Sequence, residues 1–355
     1  MKRVIVFVCI VAMIVGMTSV AFAGGGREAD PSDGIRVAYQ IGYDGSTYRE
    51  LGIVEFEDAA QRYKDEGIID DFTVYRNVVG RDVAEQISQI RDIISLGYDV
   101  IVVNPNSDTA LNGVYEEAVE AGLTVMVLAI PSHPDVWGVM GDNYGDYNDF
   151  GNWVAEATGG EGRAMHIYGI DGSPNNRLRM AGVHDALAGT NIDIVAEQSG
   201  GWSVPQAKEI ASGLLAAHPN VGIVLTHDPM DEGVFSAYRD AGRVPEYAFV
   251  TLARPSFQYI RDWWAEGHDV QIYGPKSHAG LPQAALYVGM KIHMGGTLRS
   301  DMISGDLNNS VVIPNPGPVA TNDNFDEFWD VLKDMPDDWL WAFTVDESEV
   351  DTWFE

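Results

Sequence analysis

The sequence predicts an α/β protein made of two doubly wound parallel-sheet lobes. Short apolar runs alternate with longer amphipathic runs from residue 35 almost to the end, and this βαβα pattern is typical of parallel sheets covered by helices on both faces. The chain has 355 residues, which exceeds the size at which a single core usually stops growing. We therefore expect two lobes of similar pattern, over about 35–140 and 142–272.

Nine strands and nine helices are predicted. The strands cover 35–41, 72–75, 100–103, 125–128, 164–168, 192–196, 221–225, 247–252 and 270–273. The helices cover 49–66, 81–96, 108–121, 145–158, 176–188, 204–217, 231–241, 256–266 and 279–293. Local signals agree, since Asp108-Thr109 is a helix cap and Gly122 ends that helix. Beyond the prolines at 314–318, an aromatic segment predicts a helix and an extension docked on one lobe.

The first 23 residues have the three parts of an export signal. Lys2 and Arg3 precede an apolar run, and Ala21-Phe22-Ala23 supplies the small residues that a signal peptidase reads. The run is short for a membrane span of ~20 residues, so we expect cleavage after Ala23 and a periplasmic location. The only cysteine, Cys9, lies inside the run, so the mature chain is expected to have neither a lipid anchor nor a disulfide.

The charge balance excludes one class of partner. Removal of residues 1–23 leaves 20 basic and 53 acidic residues, a formal charge of −33. Nucleic acid is not an expected partner, because phosphate binding needs a basic patch. The acidic surface fits either a solubility device for high salt or an ordinary exported protein.

Motifs of common enzyme classes are missing from the sequence. It contains no phosphate loop with its lysine, no His-Glu-x-x-His helix and no Gly-x-Ser-x-Gly elbow. The pair His227-Asp228 at a strand end is an acid–base or metal candidate, but no His, Cys or Glu cluster nearby in sequence completes it. We expect no catalytic residue, no metal site and no cofactor.

Polar and aromatic side chains follow the predicted strands. Ligands of open α/β sheets bind beyond the carboxyl ends of the strands. Aromatic faces cover the C–H side of a sugar ring and charged groups pair with its hydroxyls, so these residues favour a hydroxyl-rich ligand. The candidate ligand-binding residues are Tyr43, Asp44, Tyr48, Asn104, Arg177, Arg179, Trp202, His227, Asp228 and Arg254.

Some candidates have a structural alternative. Trp202 can instead pack a loop, and at least one of Arg177 and Arg179, which share a helix, is expected to be a solvated charge. Asp228 can equally cap the helix that follows it.

Two helix starts also have two interpretations. Asp142-Asn143 is predicted to cap the following helix rather than to contact a ligand. Tyr48 and Arg49 are ligand candidates only if the N-terminus of their helix points into the cleft.

Several spaced motifs resemble the ribose/galactose-type periplasmic sugar-binding proteins of ABC transporters, which have the type I periplasmic binding protein fold. The likeness runs from about Ile35 to Gly296. It is carried by QISQIRDIISLGYDVIVVNPNSDTAL at 86–111, EAGLTVMVL at 120–128, Gly141-Asp-Asn143, Arg179-Met-Ala-Gly182, AAHPNV at 216–221 and the His227-Asp228 strand end.

The resemblance implies two lobes joined by a three-stranded hinge, closing on a ligand without chemistry. It implies a monomer whose closed form docks on a membrane permease. The expected domains are a signal peptide at 1–23, a flexible leader at 24–34, an N-terminal lobe at 35–141 plus 274–310, and a C-terminal lobe with its extension at 142–273 plus 311–355.

The chain departs from the family at several cleft positions. Family members usually have Asp, often with Arg, where this chain has Ala129 and Ile130. They usually have Asn where His227 stands, Asp in the region of Arg254, and Gln in the region of Lys276. Lys276 therefore joins the ligand-binding candidates. The gained basic groups suit a carboxylate, a phosphate or a differently oriented polyol.

The resemblance implies the substrate-binding protein of an ABC-type import system for a sugar or sugar derivative. One alternative is a receptor that presents a furanose-like signal molecule to a sensor or chemoreceptor. A less favoured alternative is a cleft enzyme that uses His227 and Asp228. A sugar-responsive repressor would have a DNA-reading helix pair ahead of this fold, where this sequence has the export signal.

Overall fold

The computed structural model describes residues 34–43, 47–77, 82–107 and 109–355. Its strands are β1 Arg36–Ile41, β2 Asp71–Arg76, β3 Val100–Asn104, β4 Thr124–Val127, β5 Trp137–Gly141, β6 Glu161–Tyr168, β7 Asn191–Ser199, β8 Ile223–Thr226, β9 Tyr247–Phe249, β10 Gln271–Tyr273 and β11 Ser310–Ile313. Its α-helices are α1 Thr47–Asp65, α2 Val83–Ser95, α3 Asn112–Glu120, α4 Asn143–Ala157, α5 Pro174–Leu187, α6 Val204–Ala217, α7 Asp231–Asp240, α8 Arg254–Ala265, α9 Leu281–His293, α10 Phe325–Leu332 and α11 Glu347–Asp351.

The strands form two parallel sheets, one in each lobe. The first has the order β11-β5-β4-β3-β1-β2 and the second the order β10-β9-β8-β6-β7. Neighbouring strands pair in parallel in both sheets. The predicted fold class is confirmed.

Both faces of each sheet are buried, as βα connections require. Along β1, Val37 and Tyr39 face one apolar cluster, while Ala38 between them faces another. Along β8, Val224 and Leu225 likewise belong to clusters on opposite faces. The near-continuous apolar runs in the sequence therefore mark strands covered by helices on both sides.

Two strands lack a clear sequence signal. β5 contains two glycines, and Gly138 is required by close packing, because a Cβ there would lie 2.4 Å from the carbonyl oxygen of Ala129. β11 has only four residues and ends just before the prolines at 314–318. Glycine and proline weaken a strand pattern, which explains why neither strand was predicted.

The predicted cap of the third helix is not at its start. α3 begins at Asn112 with Leu111 in the capping position, and no side chain caps it there. Asp108 lies outside the described residues. The hydroxyl of Ser107 accepts a hydrogen bond from the Ala110 N–H at 3.2 Å, just before the helix.

The chain passes between the lobes four times within the described ranges, where the sequence predicted three. The fourth passage belongs to the C-terminal extension. There the Trp341 N–H donates to the Leu252 carbonyl at 2.7 Å, and the Phe343 N–H donates to the Ser277 carbonyl at 3.0 Å. The passages are at 141–143, 274–277, 313–320 and 340–343.

The assignment of 311–355 to the second lobe was wrong in two places. β11 pairs with β5 in the first sheet. Val345 and Trp353 are buried in the core of the first lobe. Of the extension, α10 packs against α8 of the second lobe. The apolar residues of the extension therefore pack against the cores of both lobes, so the extension belongs to neither lobe alone.

The N-terminal expectations fall mostly outside the structure. The predicted signal peptide and all but the last residue of the predicted leader are outside the described residues. Within the described ranges, no helix has the length and apolar character needed to cross a membrane.

Candidate ligand-binding site between the lobes

Two adjoining cavities lie between the lobes, each of about 360 Å³ including the part open to solvent. They share Tyr48, Arg49 and Asn175 as lining residues. The first is also lined by Tyr43, Arg179, Trp202, Asp228 and Pro229. The second is also lined by Tyr39, Gly52, Asn104, Leu128, Val139, Met140, Gly141, Asn143, His278, Ala279, Leu281 and Pro282.

The second-lobe wall, formed by Arg179, Trp202 and Asp228, is organised around one buried guanidinium. Arg179 Nη1 donates to Asp228 Oδ1 at 2.7 Å, and Nε donates to Asn143 Oδ1 at 2.7 Å. The guanidinium carbon lies 4.9 Å from the ring centre of Tyr147 and 5.9 Å from that of Trp202. Arg179 Nη2 has no hydrogen-bond partner among the described residues. It is the donor of this side chain that is left for a ligand.

Asp228 joins the second lobe to the hinge. Its Oδ2 accepts a hydrogen bond from the Ser277 hydroxyl at 2.8 Å, and Ser277 lies in the second passage between the lobes. Burial alone would raise the pKa of Asp228, but the Arg179 charge and the Ser277 hydrogen bond outweigh it and hold that pKa below its ordinary value. The carboxylate is therefore charged and already paired when a ligand arrives.

The first-lobe wall, formed by Tyr43, Tyr48 and Arg49, is aromatic and cationic. The Arg49 guanidinium lies 5.0 Å from the ring centre of Tyr43 and 5.3 Å from that of Tyr48, within cation–π range. Burial raises the pKa of Tyr48 to about 12, so its phenol stays neutral and can donate or accept a hydrogen bond. This wall therefore offers aromatic ring faces together with phenol hydroxyls and a guanidinium.

Trp202 is held in an unusual backbone conformation. Its φ is +53°, a left-handed value that is uncommon for a bulky residue and that concentrates at functional sites. Gly169 makes room for the indole, because a Cβ there would lie 2.3 Å from the ring. The side chain is half-buried and lines the first cavity. Trp202 therefore packs within its loop and also presents part of its ring to the cavity.

The hinge side of the cavity is closed by His278. Its Nε2 lies 2.6 Å from Asp146 Oδ2, and a Cβ on Gly141 would lie 2.3 Å from its ring. Asp146 belongs to α4 of the second lobe, whereas His278 precedes α9 of the first. Across the cavity, Asn175 Nδ2 reaches the Leu128 carbonyl at 3.5 Å. The lobes therefore touch around the cavity.

Six of the predicted ligand-binding residues line these cavities, and Asp44 lies outside the described residues. Asp142 caps α4 by accepting the Gly145 N–H at 2.8 Å, as predicted, while its neighbour Asn143 faces the cavity. The lining candidates are Tyr43, Tyr48, Asn104, Arg179, Trp202 and Asp228.

Four other candidates lie elsewhere. Arg177 is exposed on α5 and lines neither cavity, whereas Arg179 is buried. Arg254 forms an ion pair with Asp337 of the extension. Lys276 lies with its Nζ 5.9 Å from the ring centre of Trp341, also in the extension. Arg254 and Lys276 are absent from the lining of both cavities.

His227 is packed beneath the site rather than facing it. Its ring centre is 4.7 Å from that of Tyr147, and neither ring nitrogen has a hydrogen-bond partner among the described residues. Burial, followed by the nearby Arg179 charge, lowers its pKa well below the ordinary value. A neutral, enclosed imidazole of this kind does not contact the cavity.

Several lining residues were missed from the sequence. Asn143 and Asn175 lie at helix starts, where an asparagine is read as a cap. His278 lines the second cavity, and Ser277, which donates to the lining residue Asp228, ends the second passage just before it. Nothing in the local pattern distinguishes either residue from a loop. The expected crossing of the chain near Gly274 is the one signal that points to them.

The fold and the two-sided cavity are those of a two-lobed binding protein, and the sequence agrees. Residues 37–271 match the periplasmic binding protein domain family, and the chain belongs to that family. The resemblance found in the sequence is confirmed, and the class to which it leads is a binding protein, not an enzyme.

Individual relatives sharpen the comparison. The D-ribose/D-allose-binding protein of Pseudomonas aeruginosa is 29% identical over 205 residues, which are 55% of this chain and 64% of that protein. The ribose import binding protein of Bacillus subtilis is 24% identical over 165 residues, or 46% of this chain and 54% of that protein. The chain thus matches only part of these curated relatives.

A solved structure covers nearly the whole fold. The ABC transporter solute binding protein from Thermobispora bispora has a TM-score of 0.75 and 21% identity, over 90% of this chain and 94% of its own. At this identity the likeness shows the shared fold.

Proposed function

We propose that this protein is the solute-binding component of an ABC-type import system and acts as a monomer. The observation that carries the proposal is a cavity lined from both lobes, with Arg179 and Asp228 on one side and Tyr48 and Arg49 on the other. Such a cavity binds and releases a ligand by lobe movement. The family, and the ligand-binding functions of the relatives named above, support the same role.

Lobe closure follows from the position of the polar groups. A ligand that contacts both walls binds the closed arrangement more tightly than the open one, and it shifts the equilibrium by that difference in affinity. Ser277 transmits the change, since it bonds Asp228 and lies in a passage between the lobes. The closed form then presents a joint surface of both lobes to a membrane permease.

The ligand we propose is a neutral monosaccharide or polyol. Arg179 and Asp228 neutralise each other, and the aromatic rings of Tyr43, Tyr48 and Trp202 offer flat apolar faces beside hydrogen-bonding groups. The gained basic residues that favoured an acidic ligand do not line the cavities. Arg254 and Lys276 contact the extension, and the pKa of buried His227 is well below its ordinary value. This removes the main argument for a carboxylate or phosphate.

The location we propose is the periplasm, after cleavage behind Ala23. The export signal in the sequence and the family to which the chain belongs support this location.

Calorimetric titration with a panel of aldoses, polyols and sugar acids tests the proposal. We expect one neutral member of the panel to bind at one site per chain. Arg179→Lys should abolish that binding, because the single nitrogen of lysine cannot replace the separated Nε, Nη1 and Nη2 donors of the planar guanidinium.

The matched control is Arg177→Lys, on the same helix but exposed. It should bind like the wild type. Tight binding of sugar acids alone would overturn the ligand class, and equal binding by both arginine variants would overturn the site.

A further inference from the structure

Two histidines and a glutamate meet on the second lobe, outside the ligand cavity. His166 and Glu197 are paired positions on the neighbouring strands β6 and β7, and His184 lies on α5. His166 Nδ1 is 2.9 Å and His184 Nε2 is 2.7 Å from the same carboxylate oxygen, Glu197 Oε1. One nitrogen or oxygen from each side chain lies within 4.8 Å of the other two.

We propose that His166, His184 and Glu197 bind a transition-metal cation of the Zn²⁺ type, with water as the fourth ligand. Two imidazole nitrogens and one carboxylate oxygen form a donor set that zinc uses when it keeps one open position. The nitrogen donors disfavour Ca²⁺ and Mg²⁺, which take oxygen ligands.

The three side chains of the cluster differ in their exposure to solvent. The His166 side chain is fully buried, which fixes one ligand. The side chains of His184 and Glu197 are 46% and 30% exposed, so an ion can reach them and a water can complete the shell.

The geometry needs only a small adjustment. A tetrahedral ion with bonds of ~2.0–2.1 Å holds its ligand atoms ~3.3 Å apart. The two nitrogen–oxygen distances in the structure are 2.9 and 2.7 Å. These two pairs therefore spread by about 0.5 Å to admit an ion, and the two histidine nitrogens already lie within 4.8 Å of each other. The two partly exposed side chains have room to move.

The second ring nitrogen of His166 is also buried. His166 Nε2 has no hydrogen-bond partner among the described residues. A metal on Nδ1 leaves the proton on Nε2 and makes it a donor, and metal-bound histidines normally donate their second N–H. The ring of His227 lies 5.7 Å away between centroids, and both its nitrogens are unpartnered in the described part of the chain. No hydrogen bond joins the two rings in the structure.

Calorimetric titration of tag-free, chelator-treated protein with ZnCl₂ tests the site. Excess Mg²⁺ in the buffer saturates weak sites on the acidic surface, and no sugar is present, so the outcome is independent of the proposed function. We expect one Zn²⁺ per chain. His184→Ala and Glu197→Gln should each weaken binding by at least about tenfold.

His268→Ala is the matched control, because His268 is exposed at the end of another helix. It should bind Zn²⁺ like the wild type, and circular dichroism should show all three variants folded. Absence of binding in the wild type would mean that the cluster is a hydrogen-bonded triad only. Equal affinity in His184→Ala would mean that Zn²⁺ binds elsewhere. Either result overturns the proposal.

Discussion

The two walls of the cavity differ in the kind of contacts that surround their arginines. On the second-lobe wall, Arg179 and Asp228 are bonded to each other, to Asn143 and to Ser277. On the first-lobe wall, Arg49 lies beside two tyrosine rings. The second-lobe wall contains a buried polar network that also stabilises the fold. The first-lobe wall is mainly a surface for stacking.

This difference separates stability from affinity. A change in a buried charge network leaves a partner unpaired and destabilises the fold, whereas loss of a partly exposed ring removes contact area. We therefore expect changes to the charged pair of the second-lobe wall, Arg179 and Asp228, to affect folding and binding together. Changes to stacking groups should affect mainly binding.

The largest expected effect comes from Arg179→Met. It leaves Asp228 charged and buried without its main partner, which should lower the free energy of unfolding by about 3–5 kcal/mol. Urea unfolding followed by tryptophan fluorescence measures the loss. Adding Asp228→Asn should recover part of it, because no charge is then left unpaired. An Arg179→Met loss as small as that of exposed Arg177→Met, about 0.5 kcal/mol or less, would contradict the difference between the walls.

A second prediction compares two acids on either side of the same turn. Burial raises the pKa of Asp231 to about 6, although it accepts a hydrogen bond from the Thr251 N–H at 2.8 Å. The folded state therefore holds this proton more tightly than the unfolded state. Stability from Asp231 is present below pH ~4 and is lost as the pH rises through ~6, by up to about 3 kcal/mol. Asp228, with its lowered pKa, acts in the opposite direction and loses its contribution only in acid.

Asp231→Asn should remove this pH dependence. The amide oxygen can accept the Thr251 N–H, and the amide nitrogen can donate to the Thr251 hydroxyl. Unfolding free energies of variant and wild type, measured between pH 4 and 7.5, should differ increasingly in favour of the variant as the pH rises. A constant difference across that range would show that Asp231 does not titrate there.

The smallest expected effect comes from Trp202→Ala. Loss of the indole should weaken ligand binding by about 0.5–1.5 kcal/mol, the usual contribution of an aromatic contact beyond its area. It should change the unfolding free energy much less than Arg179→Met does. Titration calorimetry and urea unfolding of the same preparation give both numbers. A large loss of stability with unchanged affinity would assign Trp202 to loop packing alone.

The sequence predicts the fold better than the site, for a physical reason. Strand and helix patterns are local, so most elements appear within a few residues of their predicted ends. The weak strands β5 and β11 and the five-residue helix α11 are exceptions. The rule that ligands bind at strand ends locates Tyr43, Asn104 and Asp228 correctly on the cavity edge.

The errors arise from contacts distant in sequence. Arg254 and Lys276 also follow strands, but Asp337 and Trp341 of the extension engage them. No local pattern indicates that a segment more than sixty residues away in sequence will contact these two basic residues. The His166 cluster was missed for the same reason, since its members lie on three separate elements.

The central claim is that a neutral hydroxylated ligand is held through Arg179 between the lobes. The most direct measurement is mass spectrometry of small molecules released by denaturing natively purified protein, with Arg179→Lys purified in parallel. We predict one monosaccharide or polyol from the wild type and none from the variant. Release of an acidic compound, or of the same compound in equal amount from Arg179→Lys, would contradict the claim.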